Sequence, residues 1–387
     1  MELTIEEVFQ AYYDCRKNKR YSYGALQFES DYESNVVQLY YELKSGTWSP
    51  RPSTCFIVTR PVRREIFAAS FRDRIVHHLL INRLNPSFEK YFIHDSYACR
   101  VNKGTHAAIA RVEHFIRSES DNGKKKAYVL KTDIQSFFMS IDRNVLYSLL
   151  CNFLDSIYRK TVSCGSVEFE KKLCRIIIFN DPCASCIRKS PPSAWNELPK
   201  QKSLFYTAQG CGLPIGNLTS QVFANFYVSI FDHFVKHTLR VKNYVRYVDD
   251  CVIVSTSQTY LRLLVPIMKI FLQTQLHVCL HPKKIYLQEV SHGVEFLGCF
   301  IKPAYTVCSR RIKNNFEHAL KSLQLLSYDH KPRKDELDMF RATVNSYLGI
   351  MAHYSMFQFK TALLHRYMIP YWNKYFVIAE HADKVKV

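Results

Sequence analysis

The chain has 387 residues, with 53 Lys or Arg against 34 Asp or Glu, a formal charge of +19. At 47% hydrophobic and 22% charged it is excluded from the disordered class and is long enough for two or three packed lobes. So basic a chain calls for a polyanionic partner, nucleic acid or an anionic membrane surface, and no apolar run reaches the ~18 residues of a membrane span.

In chain order, residues 1–50 read as helical, with Ile5, Val8, Phe9 and Tyr12 on one stripe and Val36, Leu39, Tyr40 and Leu43 on another. Met1–Gln10 lacks the apolar core of a secretory leader. With thirteen cysteines, that argues for free thiols in a reducing, cytoplasmic compartment. Thr47–Pro61 holds three prolines and reads as loop and extended chain, and Phe71–Leu84 returns to helical spacing. Thr105–Arg117 is a further helix. Ala127–Asp133 alternates as a strand, with Val129, Lys131 and Asp133 on one face. Residues 143–160 read as helix, and Cys164–Thr207, broken by prolines, as less regular. Asn217–His237 reads as one long helix, and the chain is helical again after about residue 310.

Residues 244–255 read Y-V-R-Y-V-D-D-C-V-I-V-S, two carboxylates between β-branched runs. Burying such a pair is costly, so either the chain turns there or the carboxylates hold a cation. A strand–turn–strand places Asp249 and Asp250 at the turn. If the strand ending at Asp133 lies beside them, three carboxylates converge at one end of a sheet. That is a set suited to two Mg²⁺ ions, with Mn²⁺ as a substitute.

The chain resembles reverse transcriptases in seven collinear blocks between roughly residues 60 and 300. They are R-P-V-R-R-E-I-F-A-A-S-F-R-D-R-I-V-H-H, S-Y-A-C-R-V-N-K-G-T-H-A-A, T-D-I-Q-S-F-F, G-L-P-I-G-N-L-T-S-Q-V-F-A-N-F-Y, Y-V-D-D, H-P-K-K and V-E-F-L-G. With Y-S-Y-G-A-L-Q-F-E near the N-terminus, it looks most like the bacterial branch of group II intron, diversity-generating retroelement and antiviral-defence enzymes.

The resemblance implies an α+β, right-hand polymerase: N-terminal region and fingers over 1–125, palm over 126–304 with an insertion at about 160–208, and a helical thumb and tail over 305–387. It implies that Asp133, Asp249 and Asp250 are the catalytic, metal-holding triad. Phe138 takes the place of the steric gate against a 2′-hydroxyl, with Phe137 the alternative. Arg63 and Arg64, the latter preferred, correspond to cations that clamp the triphosphate. Ile215, where many relatives have Gln, precedes Gly216; Thr219, Ser220 and Gln221 would then face the nascent base pair. Lys283 or Lys284 would meet pyrophosphate, unless they are a solvated pair. Phe296, Leu297 and Gly298 form the primer-gripping turn, and Arg100 and Lys103 meet template backbone.

Cys183 and Cys186 form the one C-x-x-C of the insertion; with Cys164 and Cys174 they leave zinc binding open. The expected activity is RNA-directed DNA synthesis from dNTPs on a partner RNA, with a non-coding RNA encoded nearby as the expected template. The expected role is antiphage defence. The alternatives are a diversity-generating retroelement with an accessory protein, and a catalytically silent RNA-binding scaffold. The primer is open between a nucleic acid and a protein hydroxyl.

Overall fold

The computed structural model describes residues 2–386 apart from 18, 60, 61, 159–166, 330, 331, 368–371 and 380. The N-terminal region is three helices, α1 (Ile5–Arg16), α2 (Tyr23–Glu29) and α3 (Tyr32–Ser45). Thr4 and Glu7 cap α1 reciprocally, and Val8, Ala11, Tyr12 and Cys15 form its buried stripe. Strands β1 (Thr54–Val58) and β2 (Arg64–Ala68) form an antiparallel hairpin. Helix α4 (Phe71–Tyr91) runs past Pro86, further than the expected Leu84. Phe88 packs near the rings of Phe92, Phe153 and Phe226, and this burial outweighs the hydrogen bond that proline removes.

Next come α5 (Thr105–Glu119), β3 (Tyr128–Asp133), the short α6 (Phe137–Ser140) and α7 (Arg143–Tyr158). The segment expected to be irregular begins with a twelve-residue helix, α8 (Glu168–Phe179). Phe169, Leu173, Ile176 and Ile177 recur at helical spacing there, and the disruptive prolines all lie beyond it. β4 (Ile187–Arg188) then pairs in parallel with β1. The buried Glu65 of β2 accepts hydrogen bonds from Trp195 Nε1, Ser203 Oγ and the Leu204 amide at 2.6–2.8 Å. The insertion is therefore seated on the β1–β2 hairpin.

Helix α9 (Leu218–His233) is buried on nearly every side, as expected of an all-round apolar helix. After it come β5 (Tyr244–Tyr247), β6 (Asp250–Ser255), α10 (Gln258–Gln275) and β7 (Tyr286–Glu289). The central sheet has the order β5–β6–β3–β7 with every pair antiparallel. One face, including Leu130, Cys251 and Ile253, packs with α9 and α10 residues; the other, including Val129, Val252 and Val254, packs with α5. A second sheet, β8 (Val294–Phe296), β9 (Cys299–Ile301) and β10 (Thr306–Cys308), shares that second core. The C-terminal helices α11 (Arg310–Asp329), α12 (Lys334–Met351) and α13 (Phe357–Tyr367) have their own core around Phe316, Phe340, Leu348 and Trp372. Strands β11 (Val377–Ile378) and β12 (Val385–Lys386) close the chain.

Candidate active site

Strand alternation fixes where the carboxylates point. Asp133 ends β3 and Asp250 begins β6, and the two are cross-strand partners at the last rung of that pair. Tyr247 pairs with Asp250, so Val248 and Asp249 are the two residues of the β5–β6 turn. Val248 has φ +56°, a conformation that costs a β-branched residue and that tight hairpins usually give to Gly or Asn. Arg246 Nη1 donates to the Val248 carbonyl at 2.9 Å. The same guanidinium pairs with Asp232 of α9 at 2.7 and 2.6 Å, both side chains being 0% exposed. A buried, bidentate ion pair therefore holds the strained turn that carries Asp249.

Asp249 and Asp250 are both held above the ordinary carboxylate range. Burial first, then the charges of Asp250 and Asp133, pushes Asp249 up to about 7. Burial also raises Asp250, against the opposing pull of Lys131, whose Nζ lies 3.5 Å away. Lys284 Nζ donates to Asp133 at 2.8 Å; burial opposes its charge, but the carboxylates win and its pKa rises. Lys131 also donates to the Glu295 carbonyl of β8 at 3.0 Å. Among the described residues no group of three or more His, Cys, Asp or Glu is already gathered at metal-binding spacing, and two lysines pair with two of the three carboxylates, Asp250 and Asp133. The donor set still fits a hard divalent cation: it offers acidic oxygens only, and burial, then neighbouring carboxylates, make Asp249 and Asp250 reluctant to ionise without one.

Phe137 is buried in the core, while Phe138 is half-buried in a cluster with Ile215 and Phe67. The Ile215 carbonyl accepts from the Phe67 amide at 2.8 Å. Gly216, at φ +124°, is needed because a Cβ there would lie 2.9 Å from the Phe67 carbonyl oxygen. The close approach it permits is to β2. Gln221 is exposed, but Thr219 and Ser220 are buried, so the expectation that all three face a base pair fails. The packing of α9 takes the first two inward.

Arg64 is exposed at the start of β2 and its guanidinium has no hydrogen-bond or ion-pair partner among the described residues, whereas Arg63 is engaged by Glu197 and the Ala194 carbonyl. Lys283 is exposed beside Lys284.

The two residues expected at the template backbone also bind the protein. Arg100, its side chain 6% exposed, binds Glu89 and the carbonyls of Ile93 and Ser96, so it braces its own loop. Lys103 donates to the His94 carbonyl and sits over the Tyr97 ring.

At the β8–β9 turn Phe296 is buried, while Leu297 and Gly298 have φ +49° and +82°. Cys174 packs in the main core and Cys183 and Cys186 beside Cys55, so these do not converge; Cys164 lies outside the described residues. Sequence reasoning missed Lys131 and the Arg246–Asp232 pair as parts of the site. The alternation that located Asp133 also put Lys131 on its face, and a charged residue inside Y-V-R-Y raised the same cost as the aspartates.

A family model described as reverse transcriptase (RNA-dependent DNA polymerase) matches residues 59–301, more than half the chain. No curated protein matches the sequence. Among solved structures, telomerase from Candida albicans in complex with a fragment of telomeric RNA is similar at 11% identity and a TM-score of 0.45. That match covers 89% of this chain and 60% of the other. Apo telomerase from Candida tropicalis is similar at 14% identity and a TM-score of 0.46, covering 87% of this chain and 64% of the other. The chain thus spans less than two thirds of the length of either.

Proposed function

The chain belongs to the reverse transcriptase family and has the α+β, right-hand polymerase fold, and on that premise we propose that it copies a partner RNA into DNA. The observation that carries this reading is the meeting of Asp133 with the Asp249–Asp250 turn at one end of β3–β6. Fingers over 1–125, palm over 126–304 and thumb over 305–387 would divide the labour. Asp133, Asp249 and Asp250 would hold two Mg²⁺, or Mn²⁺, which when bound supply Lewis acidity to the attacking 3′-hydroxyl and the departing pyrophosphate.

The chain's own residues do the rest. Arg64, free of protein partners, would clamp the triphosphate; Arg63 would have to leave Glu197 to join it. Phe138 would press on the sugar and exclude a 2′-hydroxyl. Lys284, held at Asp133, would turn to the pyrophosphate, with Lys283 as a second cation. Phe296 would support the primer-gripping turn from the core while Leu297 and Gly298 form its surface. Lys103 remains the better template contact of its pair, since Arg100 is enclosed.

The role that fits best is antiphage defence in the bacterial cytoplasm, on a non-coding RNA encoded nearby. The second reading, mutagenic copying with an accessory protein, rests on Ile215, which offers no polar contact to an incoming base. No helix among the described residues is long and apolar enough to cross a membrane. A silent scaffold has no use for mutually repelling buried carboxylates. Sequencing the RNA and DNA that copurify from the native host tests the proposal. An RNA paired with complementary DNA supports it, and RNA with no DNA copy favours the scaffold.

A further inference from the structure

Helix α10 carries two apolar stripes. Leu261, Leu264, Met268 and Leu272 are buried beneath the central sheet, as one amphipathic face requires. On the opposite side Leu263, Ile267 and Ile270 are 61%, 41% and 63% exposed, in line with Tyr260 and Thr274. Ile267 and Ile270 border a groove whose floor is the stacked pair Phe234 and Phe271, ring centroids 4.1 Å apart. Singly exposed aliphatic residues need no explanation, but a contiguous stripe at helical spacing beside a groove is the form that receives another helix.

Position and charge say what kind of helix. α10 lies on the face of the sheet with Leu130 and Ile253, whereas Asp133 and Asp250 follow the alternation of Val129 and Val252 on the other. The stripe therefore stays open while nucleic acid occupies the carboxylate side. Arg262 and Lys269 flank it on exposed positions and have no ion-pair partner among the described residues. No Asp or Glu occurs between Asp232 and Asp249, nor between Asp250 and Glu289. A second copy of this chain would set the same cations against each other. An RNA would meet mainly the aliphatic Leu263, Ile267 and Ile270, since Phe234 and Phe271 are half-buried and already stacked on each other.

We propose that the exposed stripe of α10 docks an amphipathic helix of a protein partner whose apolar face is bordered by acidic residues. Leu263, Ile267 and Ile270 fill the contact, and Arg262 and Lys269 select the sign of the partner's charge.

The test uses the full chain and fluorescence anisotropy with a synthetic helix whose leucine stripe is flanked by glutamates. A second peptide carries lysines in their place. The glutamate peptide should bind at least roughly tenfold tighter than the lysine peptide. The double variant Arg262→Glu/Lys269→Glu should reverse that preference, which loss of folding cannot do, and Ile270→Ser should weaken both. Equal affinity for the two peptides, or binding of neither, overturns the proposal. So does binding to phosphatidylglycerol vesicles in place of the peptides, or a dimer in sedimentation that Ile270→Ser dissolves.

Discussion

Lys131 donates to the Glu295 carbonyl at 3.0 Å and forms an ion pair with Asp250 at 3.5 Å, and so ties the carboxylate that begins β6 to the strand that leads into Phe296–Leu297–Gly298. The carboxylates and the turn proposed to grip the primer are thus joined by one side chain that neither motif contains. Removing a hydrogen bond to a charged group costs about 1.5–3 kcal/mol. Lys131→Met should therefore lower kcat for primer extension by roughly tenfold or more and raise the KM for primer, with Lys131→Arg restoring much of both. A variant with unchanged kcat and KM would show that the bridge is idle.

The Arg246–Asp232 pair makes a prediction about stability and activity together. Breaking a buried pair strands the other charge, so Asp232→Asn or Arg246→Met alone should cost about 3–5 kcal/mol in chemical denaturation. The double variant Arg246→Met/Asp232→Leu should recover much of that loss. Polymerase activity should not recover with it, because the Val248 carbonyl still lacks its donor. Recovery of both would reduce the pair to packing.

Gly216→Ala would place a methyl against β2 at a backbone angle that L-residues rarely adopt. The cost should be on the order of 1–3 kcal/mol, read as a lower Tm. A neutral substitution would mean that the Ile215–Phe67 hydrogen bond is not what fixes this turn.

His77 of α4 gives a pH dependence. Burial, reinforced by His78, Arg74 and Lys19, pushes it down to about 3, and its Nδ1 has no hydrogen-bond partner. It is neutral in the fold but takes a proton near 6.5 when unfolded, so the unfolded state binds more protons below that pH. Its contribution to stability is complete above about 6.5 and is lost as pH falls toward 3, at up to ~1.4 kcal/mol per pH unit. His77→Gln should flatten the denaturation midpoint across that window. An unaltered slope would place the acid sensitivity elsewhere.

The parts of this molecule that could be read from sequence are those where one periodicity governs. β3 follows a period of two, α12 a period near 3.6, and Y-V-D-D stands out because apolar runs enclose it. Helix α8 was obscured because neighbouring prolines coloured the whole insertion, although the amphipathic spacing was present. Arg100 stood out in the sequence only as a cation, and the fold alone reveals that Glu89 and two carbonyls hold it. The expectation for Thr219 and Ser220 failed, since a helix buried all round leaves few polar residues to the surface. Long-range bridges such as Lys131 to Glu295 have no local signature at all.

Primer extension with dNTPs on an RNA template, comparing the natural chain with Asp249→Asn, tests the central claim most directly. The substitution keeps the shape of the turn and removes the charge that Asp133 and Asp250 crowd. The natural chain should make a DNA product in Mg²⁺ and lose it in chelator, and the variant should be slower by at least roughly a thousandfold. Equal incorporation by the two proteins, or none by the natural chain on any primed RNA, would contradict it.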